Sequence, residues 1–471
     1  MTEPSSGVHV REVRDYRGRR YRTGESSRDL MGRDRVWLLW LSWVALVAIG
    51  FLQYGFGAAA PALMARHGWT LTETFLLLAG WAVFQGGVAF PTAWLRARGL
   101  LNPAQAMVGG AVLCCVGLVI FAYAGGLPEA AFGYSLLTGT GAGLIYHTCT
   151  STVAAWYPER QGTRTGFVSG AFAYGSLPVI VLFVLALDGN NLPMILATLG
   201  IGVLITVAVC GAFFREPPED WWPAHIDPRQ WALDRTLNPS RPANHPSLRQ
   251  YSPVEAVRTP ALVFLYLVLA LAGAVSLFDI AYLAGSAAHS GFAPWLIVTA
   301  TAVFVAANGI SRVSASWASD RLGRRRTLRA VLAVAGPAQL GLLYAEHAHL
   351  AAPLVAFAAL AGVTSGAFYP LVASLAVEYF GERDVLRNSA LVYSAKVFGG
   401  LIGVGLGAVV VTSYGYAGAF LVFGVLALVA TGLTRLLRQP GLLSTPSLPP
   451  AARPPAAQPP AGARKAPGPP E

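Results

Sequence analysis

Long apolar runs, separated by short polar or arginine-containing segments, recur along most of the chain. A run of about 20 apolar residues is long enough to cross the hydrocarbon core of a bilayer as a helix. Twelve such runs lie at approximately 36–58, 74–95, 104–124, 130–157, 165–187, 192–214, 261–284, 294–319, 327–345, 350–380, 388–412 and 417–437. The pattern predicts an all-α integral membrane protein with twelve transmembrane helices, numbered here span one to span twelve.

The two halves of the chain repeat one another at a shift of about 223 residues. Five residues of the first half, Gly139, Gly143, Tyr146, Glu159 and Arg160, find identical counterparts at Gly362, Gly366, Tyr369, Glu382 and Arg383. This predicts two pseudo-symmetric six-helix halves with a site at their interface. The expected divisions are a basic arm 1–35, the halves 36–214 and 260–438, a linker 215–259 between them, and a disordered Pro/Ala-rich tail 439–471.

Composition and charge agree with a membrane location. The chain is 54% hydrophobic and only 12% charged, whereas about a quarter of the residues of a soluble domain are charged. Arginines are concentrated in the even-numbered connections, and Arg66 is the one arginine of the odd-numbered ones. The positive-inside rule therefore predicts a multi-pass protein of the cell (inner) membrane with both termini cytoplasmic. The net charge of +11 reflects this bias and the basic arm, so it does not indicate nucleic-acid binding.

Other function classes lack their residues in this sequence. The four cysteines lie in or beside apolar runs without metal-site spacing, so we expect packing roles and no metal or cofactor. No cluster of acids, histidines or cysteines indicates an enzyme, and no phosphate-binding glycine loop with its lysine indicates ATP-driven transport.

Lys396 is the most informative residue, because it lies inside the apolar, glycine-rich run 390–411. A cation near the bilayer centre costs roughly 2.5–3.5 kcal/mol on insertion scales, so it persists where it faces a cavity, a partner or a ligand. Asp279 in span seven is the acid nearest in depth, but it lies closer to the outer end of its helix. A lone buried ammonium therefore predicts an anion-binding site.

Arg312 in span eight has two interpretations from the residues alone. It lies about 12 Å along the helix from Asp320, so it is either an interior cation or an arginine that extends to the cytoplasmic face. Tyrosine hydroxyls could orient a bound carboxylate, and Tyr146, Tyr369 and Tyr393 are the candidates. Candidates of second rank are Tyr54, Trp81, Gln85 and His147, the last expected to point about 100° away from Tyr146.

The loop after span eight reads Ser319-Asp-Arg-Leu-Gly-Arg-Arg-Arg-Thr327, whereas the equivalent loop 95–99 has no Asp. The first sequence resembles the Asp-Arg-x-Gly-Arg-Arg signature of the major facilitator superfamily. The resemblance implies a gating role for Asp320, Arg321, Gly323 and Arg324. The loss of the signature in the first half suggests that the gate of that half is held differently.

Further phrases narrow the resemblance. They are Ala155-Trp-Tyr-Pro-Glu-Arg-Gln-Gly162, Gly170-Ala-Phe-Ala-Tyr-Gly-Ser176, Asn308-Gly-Ile-Ser-Arg312 and Leu391-Val-Tyr-Ser-Ala-Lys396. They are similar to the oxalate:formate antiporter family, in which the arginine of span eight helps to hold a carboxylate. Many relatives carry an aromatic residue one turn before the span-ten tyrosine, where this chain has Ser365, so we expect a larger chamber.

The resemblance implies a secondary active transporter of small organic carboxylates, either oxalate- and formate-like or related mono- or dicarboxylates, that works by alternating access in the lipid bilayer. Exchange of two anions, uniport and proton symport fit the sequence equally well, which leaves a proton or a counter-anion as the open co-substrate. The alternative is a facilitator-superfamily exporter of another metabolite or a drug-like anion. A non-transporting receptor would carry an appended folded domain, and the linker and tail offer none.

Overall fold

Long helices make up most of the structure, a computed structural model that describes residues 10–16 and 18–441. Ten helical segments within that range are long and apolar enough to cross a membrane. They are Arg35–Tyr54, Leu71–Ala97, Pro103–Ala122, Pro158–Ala186, Leu192–Gly211, Pro260–His289, Pro294–Leu322, Arg324–His347, Ala351–Phe380 and Val385–Leu436.

Two details reconcile these ten segments with the twelve predicted spans. Val385–Leu436 contains both span eleven and span twelve, and these two spans are separated at Gly415, where the backbone leaves helical geometry (φ 70°, ψ 175°). The predicted span four is also helical, as Leu127–Ala130, the π-helix Ala131–Thr138 and Gly139–Trp156. Threonines recur along this span, which makes it more polar than its neighbours.

Several spans consist of consecutive helical pieces. Span one comprises Arg35–Ile49, Phe51–Tyr54 and Phe56–His67, and span two comprises Leu71–Gly87 and Ala89–Ala97. Span five begins with the 3₁₀ turn Pro158–Arg160 and continues as Gln161–Tyr174 and Leu177–Ala186. Span eleven comprises Val385–Tyr393, Lys396–Gly400 and the π-helix Leu401–Leu406, and the helix Gly407–Leu433 continues from span eleven into span twelve. Shorter elements are the strands Arg11–Arg14 and Arg20–Thr23, the helices Ser27–Met31, Pro228–Leu233 and Pro253–Val257, and the 3₁₀ turn Thr434–Leu436.

Local sequence signals set the ends of these helices. Asp34 caps span one by accepting a hydrogen bond from the backbone N–H of Val36, and Gly68 ends that span in the left-handed conformation. Thr70 and Glu73 form a reciprocal capping box at the start of span two. Polar caps of this kind place the helix ends outside the apolar layer.

The two six-helix halves contact each other from one end of the bundle to the other. We call the end that carries residues 215–259 the linker side, and the opposite end the far side. Ala89 and Ala93 of span two pack with Ala390 of span eleven on the linker side. Towards the far side the hydroxyls of Thr72 and Thr412 lie 3.3 Å apart. The halves therefore touch on both the linker side and the far side of their interface.

The N-terminal arm folds onto the linker as a β-hairpin, which the sequence analysis did not predict. Arg22 forms a bridge with Trp221, and Tyr21 packs edge-to-face on Trp222 with ring centroids 5.1 Å apart. Burial there raises the pKa of Tyr21 to about 12. Arg19 forms an ion pair with Glu382, which follows span ten. The hairpin thus packs against tryptophans of the linker. The predicted tail lies outside the described residues beyond Gly441.

Candidate functional site

Lys396 and Arg312 approach the interface of the halves from span eleven and span eight. Each side chain is buried, with 2% of its surface exposed. The Lys396 Nζ atom donates a hydrogen bond of 2.6 Å to Oε1 of Gln53 in span one. This contact joins the second half to the first across the interface.

Arg312 lies inside the bundle, which decides between the two interpretations left open by the sequence. Its Nη2 donates to the hydroxyl of Tyr54 at 2.9 Å, and its Nη1 donates to the hydroxyl of Tyr146 at 3.3 Å. Asn308, one turn earlier on the same helix, accepts from Nε and Nη2 at 3.3 and 3.2 Å. The guanidinium is thus held by neutral oxygens from spans one, four and eight.

Aromatic rings surround both cations. The Lys396 Nζ lies 5.4 Å from the ring centroid of Trp81, and 5.9 Å from those of Phe172 and Tyr393. The Arg312 guanidinium carbon lies 5.2 Å from the ring centroid of Tyr369. Ring faces carry negative potential, so they stabilise a cation by about 0.5–2 kcal/mol without neutralising it. The net positive charge stays available for an anion.

No carboxylate of the described residues pairs with either cation. Asp279, the acid considered from the sequence, accepts hydrogen bonds from Gln339 at 2.8 Å and from Ser365 at 3.2 Å. The hydroxyl of Ser365, the residue expected to enlarge the chamber next to Tyr369, is thus directed at Asp279. The interface between the halves holds two buried positive charges with neutral partners.

Buried polar atoms without a hydrogen-bond partner cluster around these cations. They are Nε1 of Trp81, Oε1 of Gln85, Nε2 of His147, Nδ2 of Asn308 and the hydroxyl of Tyr369. Burying such an atom unpaired costs about 1–3 kcal/mol, so a cluster of them is typical of a site that binds a ligand or water. Donors and acceptors both occur in this cluster.

His147 belongs to the same cluster, although helical geometry had predicted that it points away. Its ring packs edge-to-face on Tyr393 with centroids 4.6 Å apart, and the ring of Tyr146 lies 5.5 Å from that of Tyr393. Gln85 of span two donates to the Tyr393 hydroxyl at 3.4 Å. Tyr393, placed between spans two, four and ten, brings these side chains together.

Glycines bring the helices of the site close together. A side-chain carbon on Gly166 of span five would lie 2.7 Å from the carbonyl oxygen of Arg312, and one on Gly170 would lie 2.8 Å from that of Gly309. A side-chain carbon on Gly86 would lie 3.2 Å from Cβ of Lys396. Small residues at such crossings allow backbones to approach closely in membrane bundles.

The residues of the loop signature lie on the linker side. Arg324 donates to the carbonyl of Ser374 at 3.1 Å and pairs with Glu378 at 3.3 Å, whereas its distance to Asp320 is 4.0 Å. Asp320 lies near Ser240 of the linker, and the amide of Asn244 in the linker donates to the carbonyl of the adjacent Ser319 at 3.0 Å. Gly323 adopts φ 95°, which favours glycine, and the guanidinium of Arg321 lies over the exposed ring of Trp317.

The first half holds its equivalent loop with other partners. Arg96, buried at the end of span two, donates to the hydroxyls of Ser151 at 2.5 Å and Thr152 at 3.0 Å. It also pairs with Glu216 at the start of the linker. In the first half, a carboxylate of the linker thus pairs with the buried arginine, whereas in the second half Asp320 and Glu378 pair with Arg324.

The sequence analysis missed Gln53, Asn308 and Phe172 as site residues. Gln53 and Asn308 are buried amides inside apolar runs, and such polar residues in a membrane span are a signal of function by themselves. Asn308 and Phe172 also stand in the phrases that carried the family resemblance. Attention to amides as well as charges would have found two of the three.

Comparisons with known proteins identify the family of this chain. The sequence matches the Major Facilitator Superfamily over residues 42–349 and 262–468. It is 25% identical over 330 residues to the oxalate:formate antiporter of Oxalobacter formigenes, covering 69% of this chain and 73% of that protein. It is 26% identical over 379 residues to monocarboxylate transporter 11 of Mus musculus, covering 77% and 79%.

A solved structure shares the fold. The crystal structure of the transporter FucP in the outward conformation superposes with a TM-score of 0.57, covering 86% of this chain and 99% of that one. Its sequence identity of 16% supports the fold alone.

Proposed function

The chain belongs to the Major Facilitator Superfamily and is therefore a membrane transporter rather than an enzyme, and from this premise we propose that it carries small organic carboxylates across the cell membrane by alternating access. The supporting observation is the pair of buried cations, Lys396 and Arg312, that have only neutral partners. The names of the two curated relatives, an oxalate:formate antiporter and a monocarboxylate transporter, support the same substrate class.

The two cations suit the two ends of a small dicarboxylate. Arg312 offers a planar fork of donors that matches one carboxylate, and Lys396 offers a point charge for the other. A monocarboxylate leaves one cation unpaired, so it binds more weakly or together with a second anion. Neutral and cationic solutes gain nothing from this charge.

Substrate binding exchanges partners at both cations. A carboxylate oxygen takes the place of Oε1 of Gln53 at Lys396, and another takes the place of the Tyr54 hydroxyl at Arg312. The hydroxyls of Tyr146, Tyr369 and Tyr393 are placed to donate to the remaining carboxylate oxygens. Because the anion neutralises buried charge, the loaded bundle closes at a lower cost than the empty one.

We expect alternating access to act through the contacts between the halves. The linker-side contacts of Ala89, Ala93 and Ala390 and the far-side contact of Thr72 with Thr412 would break in turn. Asp320, Arg321, Gly323 and Arg324 would act on the linker side, where Arg324 joins span nine to span ten and Asn244 joins the linker to the end of span eight. We expect both termini on the cytoplasmic side.

Counterflow of a radiolabelled carboxylate into proteoliposomes tests the proposal. Small dicarboxylates should exchange and compete, whereas sugars, amines and peptides should not. Arg312→Ala and Lys396→Ala should each abolish exchange, and exposed Arg326→Ala is the matched control that retains it. Wild-type exchange by both alanine variants, or efficient transport of a neutral solute unaffected by excess carboxylate, would refute the proposal.

A further inference from the structure

A second buried polar cluster lies within the second half, away from the two cations. Its centre is Asp279 of span seven, which has 1% of its surface exposed. The amide of Gln339 in span nine donates to Oδ1 at 2.8 Å, and the hydroxyl of Ser365 in span ten donates to Oδ2 at 3.2 Å. Three helices of one half meet at this carboxylate.

A second acid repeats the arrangement two turns nearer the far side. Glu346 follows Gln339 by seven residues on span nine, and Ser286 follows Asp279 by seven on span seven. Seven residues are two helical turns, a rise of about 10 Å along the same interface. The carboxylate of Glu346 is buried and accepts hydrogen bonds from Ser286 and, at 3.4 Å, from Ser290.

Neither acid has a cation to pair with among the described residues. Among the described residues the side chains of Gln339 and Ser365 donate hydrogen bonds to Asp279, whereas Lys396 of the neighbouring span eleven donates to Gln53. Glu346 faces Tyr416 of span twelve, whose ring lies 5.4 Å from that of His289. An ionised carboxylate without a counter-charge is disfavoured in a membrane interior, and a bound proton removes the charge.

The hydrogen bonds at this interface also lack donors. Oε1 of Gln339 and Oε1 of Glu346 are buried without a hydrogen-bond partner. A carboxylate only accepts, whereas a protonated carboxyl group contributes one O–H donor. Each proton bound here therefore supplies a donor where acceptors are in excess.

We propose that Asp279 is a proton-binding site, that Glu346 lies on its route to the far side, and that the carrier moves a proton together with its carboxylate. This inference rests on the proposed function and selects proton symport. The proton comes from water on one side of the membrane, binds an Asp279 oxygen, and leaves to water on the other side. No other group is oxidised, reduced or transferred.

The geometry couples this site to the substrate site. Ser365, which donates to Asp279, also accepts at its backbone carbonyl a hydrogen bond of 3.2 Å from Ser276. The hydroxyl of Tyr369 lies near that of Ser276, without a hydrogen bond of standard geometry, and its ring centroid lies 5.2 Å from the guanidinium carbon of Arg312. Span ten therefore contacts both the Asp279 site and the substrate site. A movement of this span would couple the two sites.

Proteoliposomes containing the full chain separate the two functions. Counterflow at equal pH on both sides measures carboxylate exchange, and an imposed gradient of one pH unit measures proton-driven accumulation. One proton per substrate at this gradient gives about tenfold accumulation. Asp279→Asn should retain exchange and lose the accumulation. Glu129→Gln, which removes an exposed acid, is the control that should retain both.

Each outcome bears on one proposal. Wild-type exchange without pH-driven accumulation overturns the proton site and leaves the carboxylate carrier standing, whereas no carboxylate exchange by the wild type refutes the proposed function. Accumulation by Asp279→Asn at the wild-type level also overturns the proton site. Should that variant fail to insert, Asp279→Glu, which keeps the carboxyl group, should accumulate substrate, and its failure to do so while exchanging normally overturns the assignment.

Discussion

Replacement of Lys396 by methionine should make the protein more stable and inactive at once. Methionine has nearly the length of lysine, so it fills the same space between spans two and eleven without opening a cavity. The substitution removes a charge whose burial in a membrane interior costs roughly 2.5–3.5 kcal/mol. Against this gain, Oε1 of Gln53 loses its donor at 2.6 Å, and an unpaired buried acceptor costs about 1–3 kcal/mol.

The net effect of Lys396→Met is therefore a stabilisation of about 1 kcal/mol, within a range of about −0.5 to 2.5 kcal/mol that the difference between these two terms allows. The double variant Lys396→Met/Gln53→Leu removes the orphaned acceptor as well, so it should be the most stable of the three proteins. The loss of a charged hydrogen bond to the substrate, about 1.5–3 kcal/mol, should weaken carboxylate binding by one to two orders of magnitude.

Thermal unfolding in detergent gives the order of stability, and counterflow in proteoliposomes gives the activity of the same preparations. Lys465→Met is the control for the loss of a lysine, since Lys465 is the other lysine of the chain. Melting of Lys396→Met well below the wild type would show that Lys396 has a stabilising partner that the structure does not reveal. Wild-type exchange by this variant would remove Lys396 from the site.

Three further predictions concern the second cation, the helix crossing and the topology. Arg312→Lys should raise the KM for dicarboxylates at least tenfold, because it loses the guanidinium fork that binds two oxygens, a loss of about 1.5–3 kcal/mol in total. An unchanged KM would contradict this role of the fork. Gly170→Ala should destabilise the bundle by about 1–3 kcal/mol in thermal unfolding, since the added carbon meets a span-eight carbonyl, whereas Gly202→Ala, with open space around it, should not; equal melting temperatures would refute this. Arg326→Cys and Ala348→Cys should react with impermeant thiol reagents from opposite sides of the membrane, and labelling from one side would overturn the orientation.

Much of the site was predictable from charge in an apolar context. Lys396 was identified because an ammonium group in an apolar run is costly unless it faces a cavity, a partner or a ligand. The same argument made Arg312 a candidate. The sequence could not decide whether Arg312 points inward, because a long arginine side chain at this depth can extend either into the bundle or to the cytoplasmic face. Its partners Tyr54 and Tyr146 lie more than a hundred residues away in the chain, so only the fold shows the contact.

Other features depended on pairings that no local pattern contains. Ser365 was assigned to the chamber because it lies one turn from Tyr369, but the direction of its hydroxyl is set by Asp279 on another helix. The arm hairpin was missed because its strands are short and arginine-rich. Its stabilising surface, Trp221 and Trp222, lies about 200 residues further along the chain.

The docking of the arm hairpin on the linker gives the protein an optical reporter of its own cycle. Trp221 lies 4.9 Å from Trp156 of the first half, Trp222 packs on Tyr21, and Arg19 of the same hairpin pairs with Glu382 of the second half. An exposed ion pair contributes only about 0–1 kcal/mol, so this tie breaks easily when the halves separate. Opening on the linker side would then change the surroundings of these indole rings. Intrinsic fluorescence could therefore follow that movement in the unlabelled protein.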